Sequence, residues 1–414
     1  MLRALMVSDW RVPEYLRSLR GRNFRLYFFG QSVSLLGSWI QQVALVWLVY
    51  RLTGSAALLG VTTFVSLAPQ LFLGPLAGAW IDRQDKRRWL IGVQALLAVQ
   101  ALVLAVLTAT GLIGPVMIIA MSFLLGVLGS FDAPLRHTLI SAYVEDRADL
   151  PNALALNSML VNGGRFFGPP IAGLLLGLTS EAACFALNAL SFTALVFAVL
   201  RAEGKMPEPA RGSVGHVFKE GARYVWDTWF VRILIGVVAA VNITASSYAT
   251  LLPILAKDIF LGDAQTLGWL WGAAGAGAFL GTVVLVGTRS LPRLSQGVVG
   301  AVALSALALG VVASSTSLAP AFAGLAVLGF GITVCNAGIN MLLQSCTPET
   351  LRGRVVAFFM ATRFGFDAIG GLIGGLLAAL LGVQATLWIE GAVLSVCLVF
   401  LFLHRQRLGA AIEH

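Results

Sequence analysis

Charge is scarce in this sequence. Only 11% of its 414 residues are Asp, Glu, Lys or Arg, whereas 58% are hydrophobic. Soluble proteins carry about 25% charged residues, so a soluble globular protein is excluded. The uncharged runs are long enough for about twelve helical crossings of a bilayer, each of which needs about 20 apolar residues.

Residues for metal binding and nucleophilic catalysis are also few. The four histidines lie in connections or tails, and the four cysteines lie in or beside apolar runs without CxxC spacing. We interpret these cysteines as small packing residues. Since no HExxH, nucleophile elbow or Walker loop is present, we expect no metal, no cofactor and no enzymatic activity. A sensor or scaffold is disfavoured, because we would expect it to add a soluble effector domain.

Basic residues outnumber acidic ones and give a net charge of +9. They fall mainly in alternate connections between apolar runs and form no stripe with interleaved aromatics, so we expect no nucleic-acid partner. The positive-inside rule explains this distribution and predicts that both termini are cytosolic. Residues 1–23 combine arginines with apolar side chains, which predicts an amphipathic segment on the inner membrane surface.

The polar stretch 201–228 divides the apolar runs into two sets of six and is predicted to be a cytosolic linker. The sets span residues 24–200 and 229–404, followed by a cytosolic tail at 405–414. The predicted crossings are 24–50, 55–80, 89–110, 115–130, 150–178 and 181–200, then 229–255, 266–288, 294–315, 319–343, 355–381 and 385–403. We therefore predict an all-α integral membrane protein with 12 transmembrane helices.

A short basic corner separates the second and third runs. Its spacing resembles the loop between helices 2 and 3 of the major facilitator superfamily of transporters, on residues Gly78, Asp82, Arg83, Arg87 and Arg88. In that family the glycine permits close helix contact, and the aspartate pairs with a neighbouring helix until transport breaks the contact. Asp85 stands where the family usually has glycine. The alternative is a plain positive cytosolic loop.

A glycine-proline sequence in the fifth run resembles the antiporter motif of drug and metabolite exporters in the same superfamily. Its residues are Gly164, Arg165, Gly168, Pro169 and Gly173, and Ala172 replaces a final glycine. Further segments, such as Trp39–Gln42 and Phe131–Arg136, are similar to bacterial secretion-type members related to the enterobactin exporter. The resemblance implies two six-helix bundles in a bacterial inner membrane. The alternative is ordinary small-residue packing between helices.

Ionisable residues inside the apolar runs are candidates for proton coupling, because each costs about 2.5 to 3.5 kcal/mol on insertion scales. The clear cases are Arg165, Arg363, Asp367 and Glu390. Arg363 and Asp367 are four residues apart, so they can neutralise each other as a purely structural pair. Our hypothesis is that Asp367 or Glu390 exchanges a proton. Alternatively, Glu390 lies in the outer headgroup zone. Similar sequences begin at Arg165 and Arg363, which is typical of a parallel repeat.

Polar residues recur at helical spacing in helices that, by the resemblance, line a central cavity. They are Gln31, Ser34, Ser38 and Gln41 in the first helix, Asn242 and Ser246 in the seventh, and Asn336 and Asn340 in the tenth. Polar stripes in lipid must face protein or water, so they predict a neutral, hydrogen-bonding cavity. The alternative is hydrogen bonding between helices.

These observations predict a secondary active transporter that exports an amphipathic small molecule, such as a drug, siderophore or secreted metabolite. We expect proton antiport and alternating access. The alternative is a flippase for lysophospholipid or another lipid-like solute. The expected partners are the small-molecule substrate, membrane lipid and protons, and we expect a monomer.

Overall fold

The computed structural model describes residues 13–81, 83–204, 223–288 and 290–413, apart from the side chains at 75, 76, 78, 79, 350 and 406–413. Asp82 lies outside the described residues. Twelve long helices occur within these ranges: α1 (Arg22–Thr53), α2 (Ala56–Ile81), α3 (Lys86–Ala109), α4 (Pro115–Tyr143), α5 (Leu150–Leu178), α6 (Glu181–Arg201), α7 (Trp229–Ile259), α8 (Ala264–Val286), α9 (Leu291–Ser314), α10 (Leu318–Cys346), α11 (Glu349–Leu381) and α12 (Val383–Glu413).

Eleven of these helices are long and apolar enough to cross a membrane. The exception is α5, whose asparagines, glycines, prolines and Arg165 lower its hydropathy. With 29 residues, α5 is nevertheless long enough for a bilayer about 30 Å thick. A twelfth crossing at α5 stays a prediction.

Charged side chains do not end α4 where the sequence predicts. The predicted crossing ends at Ser130, but the helix continues to Tyr143. Within this extension Arg136 Nε lies 2.7 Å from Asp132 Oδ2, one turn away on the same helix. Because the two charges compensate each other inside the protein, they do not interrupt the helix. Similarly, α12 runs on to Glu413, so the predicted tail begins as helix.

The helix α7 is irregular in its second part. It changes to a 3₁₀ turn at Ala245–Ser247, resumes as α-helix at Tyr248–Ile254 and ends in a π turn at Leu255–Ile259. Pro253 lies in this part and has no backbone N–H to donate, which removes one bond of the helical ladder. The sequence predicts one uninterrupted helix here.

Each half of the chain, α1–α6 and α7–α12, uses the same helix pairings. In the first half α1 packs on α5 and α6, α2 on α4, and α3 on α4 and α6. In the second half α7 packs on α11 and α12, α8 on α10, and α9 on α10 and α12. The pairings correspond after a shift of six helices, which is the relation expected for a parallel repeat.

The two halves meet where α2 packs on α11 and α5 on α8. Glycines bring these backbones together. A Cβ atom on Gly375 would lie 2.7 Å from the Cα of Gly60, and one on Gly268 would lie 2.7 Å from the carbonyl oxygen of Pro169. Such distances leave no space for a side chain, so the contact between the halves depends on bare backbone.

Candidate functional site

The two ends of the helix bundle can be distinguished by the chain terminus. A 3₁₀ helix at Glu14–Arg20 precedes α1 and binds the start of α5, with 2.9 Å between Arg17 Nε and Asp149 Oδ1. We call this end the terminal side. The opposite end, the distal side, contains the α1–α2, α5–α6 and α7–α8 connections. The glycine contacts at Gly60, Gly268 and Gly375 all lie in the distal part of the molecule.

Polar contacts add to the closure of the distal side. The hydroxyl of Tyr50, at the end of α1, donates a hydrogen bond to the carboxylate of Asp258 at the end of α7. The Nζ atom of Lys257 lies 5.5 Å from the centre of the Tyr50 ring. Deeper in the protein, the hydroxyl groups of Thr63 and Thr250 are 3.2 Å apart. All three contacts join the first half to the second.

A cavity lies between the halves from mid-depth towards the terminal side. Its larger part has a volume of about 490 Å³, and a smaller part of about 140 Å³ shares several lining residues with it. The walls come from α1, α5, α7, α8, α10 and α11. Trp39 and Trp271 line it from opposite halves and form an edge-to-face pair with ring centres 6.4 Å apart.

Five of the polar residues predicted for the cavity line it: Ser38, Asn242, Ser246, Asn336 and Asn340. The amide of Asn242 donates a 2.9 Å hydrogen bond to Asn336 Oδ1, which joins α7 to α10. Asn242 and Asn336 therefore link two helices and also present polar groups to the cavity. The hydrogen bonds of Ser38, Ser246 and Asn340 lie within their own helices.

The structure places Gln31, Ser34 and Gln41 in the packed interior of the first half, away from the cavity. Gln31 donates a 2.7 Å bond to Asn157 of α5, and Gln41 donates a 3.1 Å bond to Gln100 of α3. Each side chain finds its partner on a neighbouring helix. For these three residues the geometry favours hydrogen bonding between helices over substrate contact.

A charged network in the first half was missed by the sequence reasoning. Arg136 binds Asp132 and donates a 2.8 Å hydrogen bond to Ser34 of α1, while Gln94 of α3 donates to Asp132. The network joins α1, α3 and α4. Its signal in the sequence is the spacing of four between Asp132 and Arg136, which places both side chains on one helix face.

The ionisable residues predicted at membrane depth divide into two groups. Arg165, Arg363 and Asp367 line the cavity, which is therefore charged and not neutral as the sequence predicts. Glu390 does not line either part of it. Its side chain is enclosed within the second half, beside Gly374 of α11 and Ser247 of α7, and the residue is only 4% exposed. Both carboxylate oxygens are buried without a hydrogen-bond partner. The alternative position in the outer headgroup zone stays a prediction.

The basic corner connects α2 and α3 on the terminal side. Arg87 donates to the carbonyl oxygens of Val199 (3.2 Å) and Leu200 (2.9 Å) near the end of α6. Asp85 accepts bonds from the backbone N–H groups of Arg87 and Arg88 and so caps α3. At this position, where the family usually has glycine, Asp85 therefore serves as the N-cap of α3. Gly78 lies in the last turn of α2 and Arg83 in the turn itself.

The glycines of the α5 motif contact both halves. A Cβ atom on Gly168 would lie 2.6 Å from that of Trp39 in α1, and one on Gly164 would lie 2.9 Å from Leu35. On the distal side, one on Gly173 would lie 2.9 Å from the Cα of Gly268 in α8. The motif therefore lets α5 approach α1 and α8 together. Within the described ranges, no three His, Cys, Asp or Glu side chains come together as a metal site requires.

Proteins of known fold and activity resemble this chain over nearly its full length. It is 28% identical to the staphyloferrin A transporter of Staphylococcus aureus over 399 residues, which cover 92% of this chain and 96% of the relative. It is 27% identical to the multidrug efflux pump Tap of Mycolicibacterium fortuitum over 398 residues, with the same shares.

Solved structures share the fold at low identity. A bacterial homologue of the human lysosomal transporter Spinster, in an inward-facing and occupied conformation, superposes with a TM-score of 0.73 at 13% identity, over 96% of this chain and 98% of the other. The nucleoside transporter NupG superposes with a TM-score of 0.71 at 15% identity, over 93% and 98%.

The family model described as transmembrane secretion effector matches residues 15–413. This family, the efflux-pump relatives and the eleven helices of the described ranges that are long and apolar enough to cross a membrane lead to one conclusion. The chain is a multi-pass protein of a bacterial inner membrane and a transporter of small molecules. It belongs to the transmembrane secretion effector family of the major facilitator superfamily.

Proposed function

We propose that the protein is a secondary active exporter of an amphipathic small molecule, driven by proton antiport through alternating access. The observation that carries this proposal is the cavity between the halves, which the glycine contacts close on the distal side. If the terminal side is cytosolic, the closed end faces away from the cytosol and the cavity accepts substrate from within. Rocking of the halves about the cavity then releases the substrate outside.

The basic corner and the α5 motif would act as gating elements in this cycle. Arg87 holds the start of α3 against the end of α6 through two carbonyl groups, so it fixes one corner of the first half. Gly164, Gly168 and Gly173 allow α5 to slide along α1 and α8, because no side chain projects from them. We propose that closing the terminal side rearranges both contacts.

Asp367 and Glu390 are our candidates for the coupled proton. Asp367 lines the cavity, and alternating access would expose it to water and substrate in one state and not in the other. Glu390 is sealed beside the irregular segment of α7, so movement of that segment changes its surroundings. A carboxyl group that is desolvated in one state and wetted or paired in the other binds protons differently in the two states. Arg363 stands one turn from Asp367 on the same helix.

The test uses purified protein in vesicles that contain a pH-sensitive dye. Candidate siderophores, drugs and lysolipids are added in turn, and substrate-dependent proton movement is recorded. We expect at least one substrate to move protons in the opposite direction. Asp367→Asn or Glu390→Gln should abolish uptake driven by a pH gradient and leave substrate exchange without a gradient intact, because exchange needs no net proton transfer.

Asp227→Asn is the matched control, because this carboxylate is 64% exposed outside the cavity and pairs with Arg223 on the surface. It should leave both measurements unchanged. The proton-coupling proposal fails if Asp367→Asn and Glu390→Gln both retain full gradient-driven transport.

A further inference from the structure

The charges that line the cavity are not balanced. Arg165 comes from α5 of the first half and Arg363 from α11 of the second, and both line both parts of the cavity. Asp367, one turn beyond Arg363, lines the smaller part and is the one carboxylate among the described lining residues. The described walls therefore carry one positive charge in excess, and the larger part is lined by the two arginines without an acidic side chain.

Among the side chains that the structure describes, the nearest other acidic groups do not provide the missing negative charge. Asp132 is bound to Arg136 within the first half, so this pair is neutral as a unit. Glu390 faces Gly374 and Ser247 in the second half and does not line the cavity. Two guanidinium groups on the low-dielectric walls of one cleft repel each other and raise the local concentration of anions.

We propose that the substrate is an amphipathic anion, and that its carboxylate or phosphate group binds between Arg165 and Arg363. This inference rests on the transport function proposed above and specifies its substrate class. A guanidinium group presents its N–H donors as a planar fork that matches the two oxygens of a carboxylate or phosphate. Because the two arginines belong to different halves, the bound anion also joins the halves.

The remaining walls suit the other parts of such a molecule. Trp39 and Trp271 supply an aromatic surface beside Arg165, and Asn336 and Asn340 supply amide groups on the α10 wall. The larger part, at about 490 Å³, falls within the roughly 300–1,000 Å³ typical of sites for drug-sized ligands. A permanently cationic compound of the same size would be repelled by the arginines.

The test measures equilibrium binding to the full-length protein in lipid nanodiscs without any ion gradient. The probes share a dansyl group and differ in charge: dansyl-glutamate, its uncharged diamide, and dansylcadaverine. Energy transfer from the cavity tryptophans to the dansyl group reports binding. We expect dansyl-glutamate to bind at least tenfold more tightly than the diamide, and dansylcadaverine to bind more weakly than both.

Variants identify the residues responsible for this preference. Arg165→Gln and Arg363→Gln should each weaken binding of dansyl-glutamate at least tenfold and change binding of the diamide less than twofold. Arg165→Lys and Arg363→Lys should retain part of the preference, because lysine keeps the positive charge but lacks the planar set of N–H donors. Arg293→Gln removes an exposed charge at the start of α9 and is the matched control, with no expected effect.

Equal binding of the three probes to the unmodified protein would overturn the proposal, whatever the variants do. So would equal losses for dansyl-glutamate and the diamide in the glutamine variants, which would indicate a purely structural role. Competition by lysophosphatidylglycerol and not by glycerol 3-phosphate would assign the anion to a lipid headgroup, and the reverse would assign it to a soluble metabolite. Anion binding without transport would refute the exporter function alone.

Discussion

Asp132 and Arg136 form an ion pair inside the first half, with side chains 16% and 12% exposed. Removing one partner leaves the other charge buried without compensation, so Arg136→Gln should destabilise the protein by about 3 kcal/mol, at the low end for buried pairs. Thermal unfolding of the purified protein in detergent measures this loss. Arg223→Gln, which breaks a surface pair 85% and 64% exposed, should cause no measurable change. Equal losses in the two variants would contradict the prediction.

The polar residues of α1 show what sequence could and could not predict at this scale. Successive residues of a helix are about 100° apart, so Gln31, Ser34, Ser38 and Gln41 share one stripe. The cavity is lined by Leu35, Ser38, Trp39 and Gln42, which form the next stripe around the helix. Only Ser38 lies at the boundary between the two. Polarity locates the stripe, but the positions of neighbouring helices decide what each residue contacts.

At the scale of elements, the α5–α8 contact depends on Gly173. A Cβ atom there would lie 2.9 Å from the carbonyl oxygen of Ala264 and from the Cα of Gly268, both backbone atoms. Gly173→Ala should therefore separate the distal ends of α5 and α8 and favour the state that is open on that side. Spin labels on the distal ends of the two helices would report the longer distance.

Gly163→Ala provides the control in the same helix, since a Cβ atom at Gly163 would meet nothing within 4 Å. It should leave the distance distribution unchanged. An unchanged distribution for Gly173→Ala would refute the idea that bare backbone contact closes the distal side.

The contact between α1 and α7 gives a second prediction. Tyr50→Phe removes the hydroxyl group that binds Asp258 and keeps the ring beneath Lys257. Because the carboxylate of Asp258 is exposed, the loss of this hydrogen bond is worth about 1 kcal/mol. The ratio of the distally open to the distally closed state should rise roughly fivefold, as measured by spin-label distances between α1 and α7. Thr53→Ala removes a hydroxyl that bonds to Val49 and to the backbone N–H of Ser55, both in the first half, and should have little effect.

Helix positions follow from the sequence more closely than helix ends and irregularities. Long uncharged runs predict twelve helical crossings, because lipid requires every backbone group to be bonded within the segment. Eleven helices among the described residues are long and apolar enough to cross. The extension of α4 depends on partners from α1 and α3 that satisfy its charges. The 3₁₀ turn of α7 lies well before Pro253, so no local residue pattern marks its position.

At the scale of the whole molecule, the orientation can be tested by chemical labelling. In a background with all four cysteines replaced by alanine, Ala148→Cys places a thiol on the terminal side and Thr316→Cys places one on the distal side. If the terminal side is cytosolic, an impermeant maleimide should label Thr316→Cys in intact spheroplasts and Ala148→Cys only after permeabilisation. The opposite labelling pattern would show that the terminal side faces away from the cytosol and that the cavity opens to the outside.

The repeat is visible in the sequence as well as in the fold. The Arg-Phe motifs at 165 and 363 place one arginine in α5 and one in α11, which the structure brings to one cavity. Asn188 and Glu390 also correspond, but Asn188 donates to Gln41, whereas Glu390 has no such partner. Equivalent positions have therefore acquired different chemistry in the two halves.

Glycine contacts at the distal side have one further consequence. Peptide groups touch there without interlocking side chains. The two halves can therefore separate along a smooth surface, and no side chain has to change its rotamer. Substitutions that change the volume or the charge of the binding chamber can then accumulate during evolution, while the glycine contact between the halves, the seam, stays the same. Members of the family that carry unlike cargo would be expected to differ in their chamber walls and to agree in their small residues along the seam.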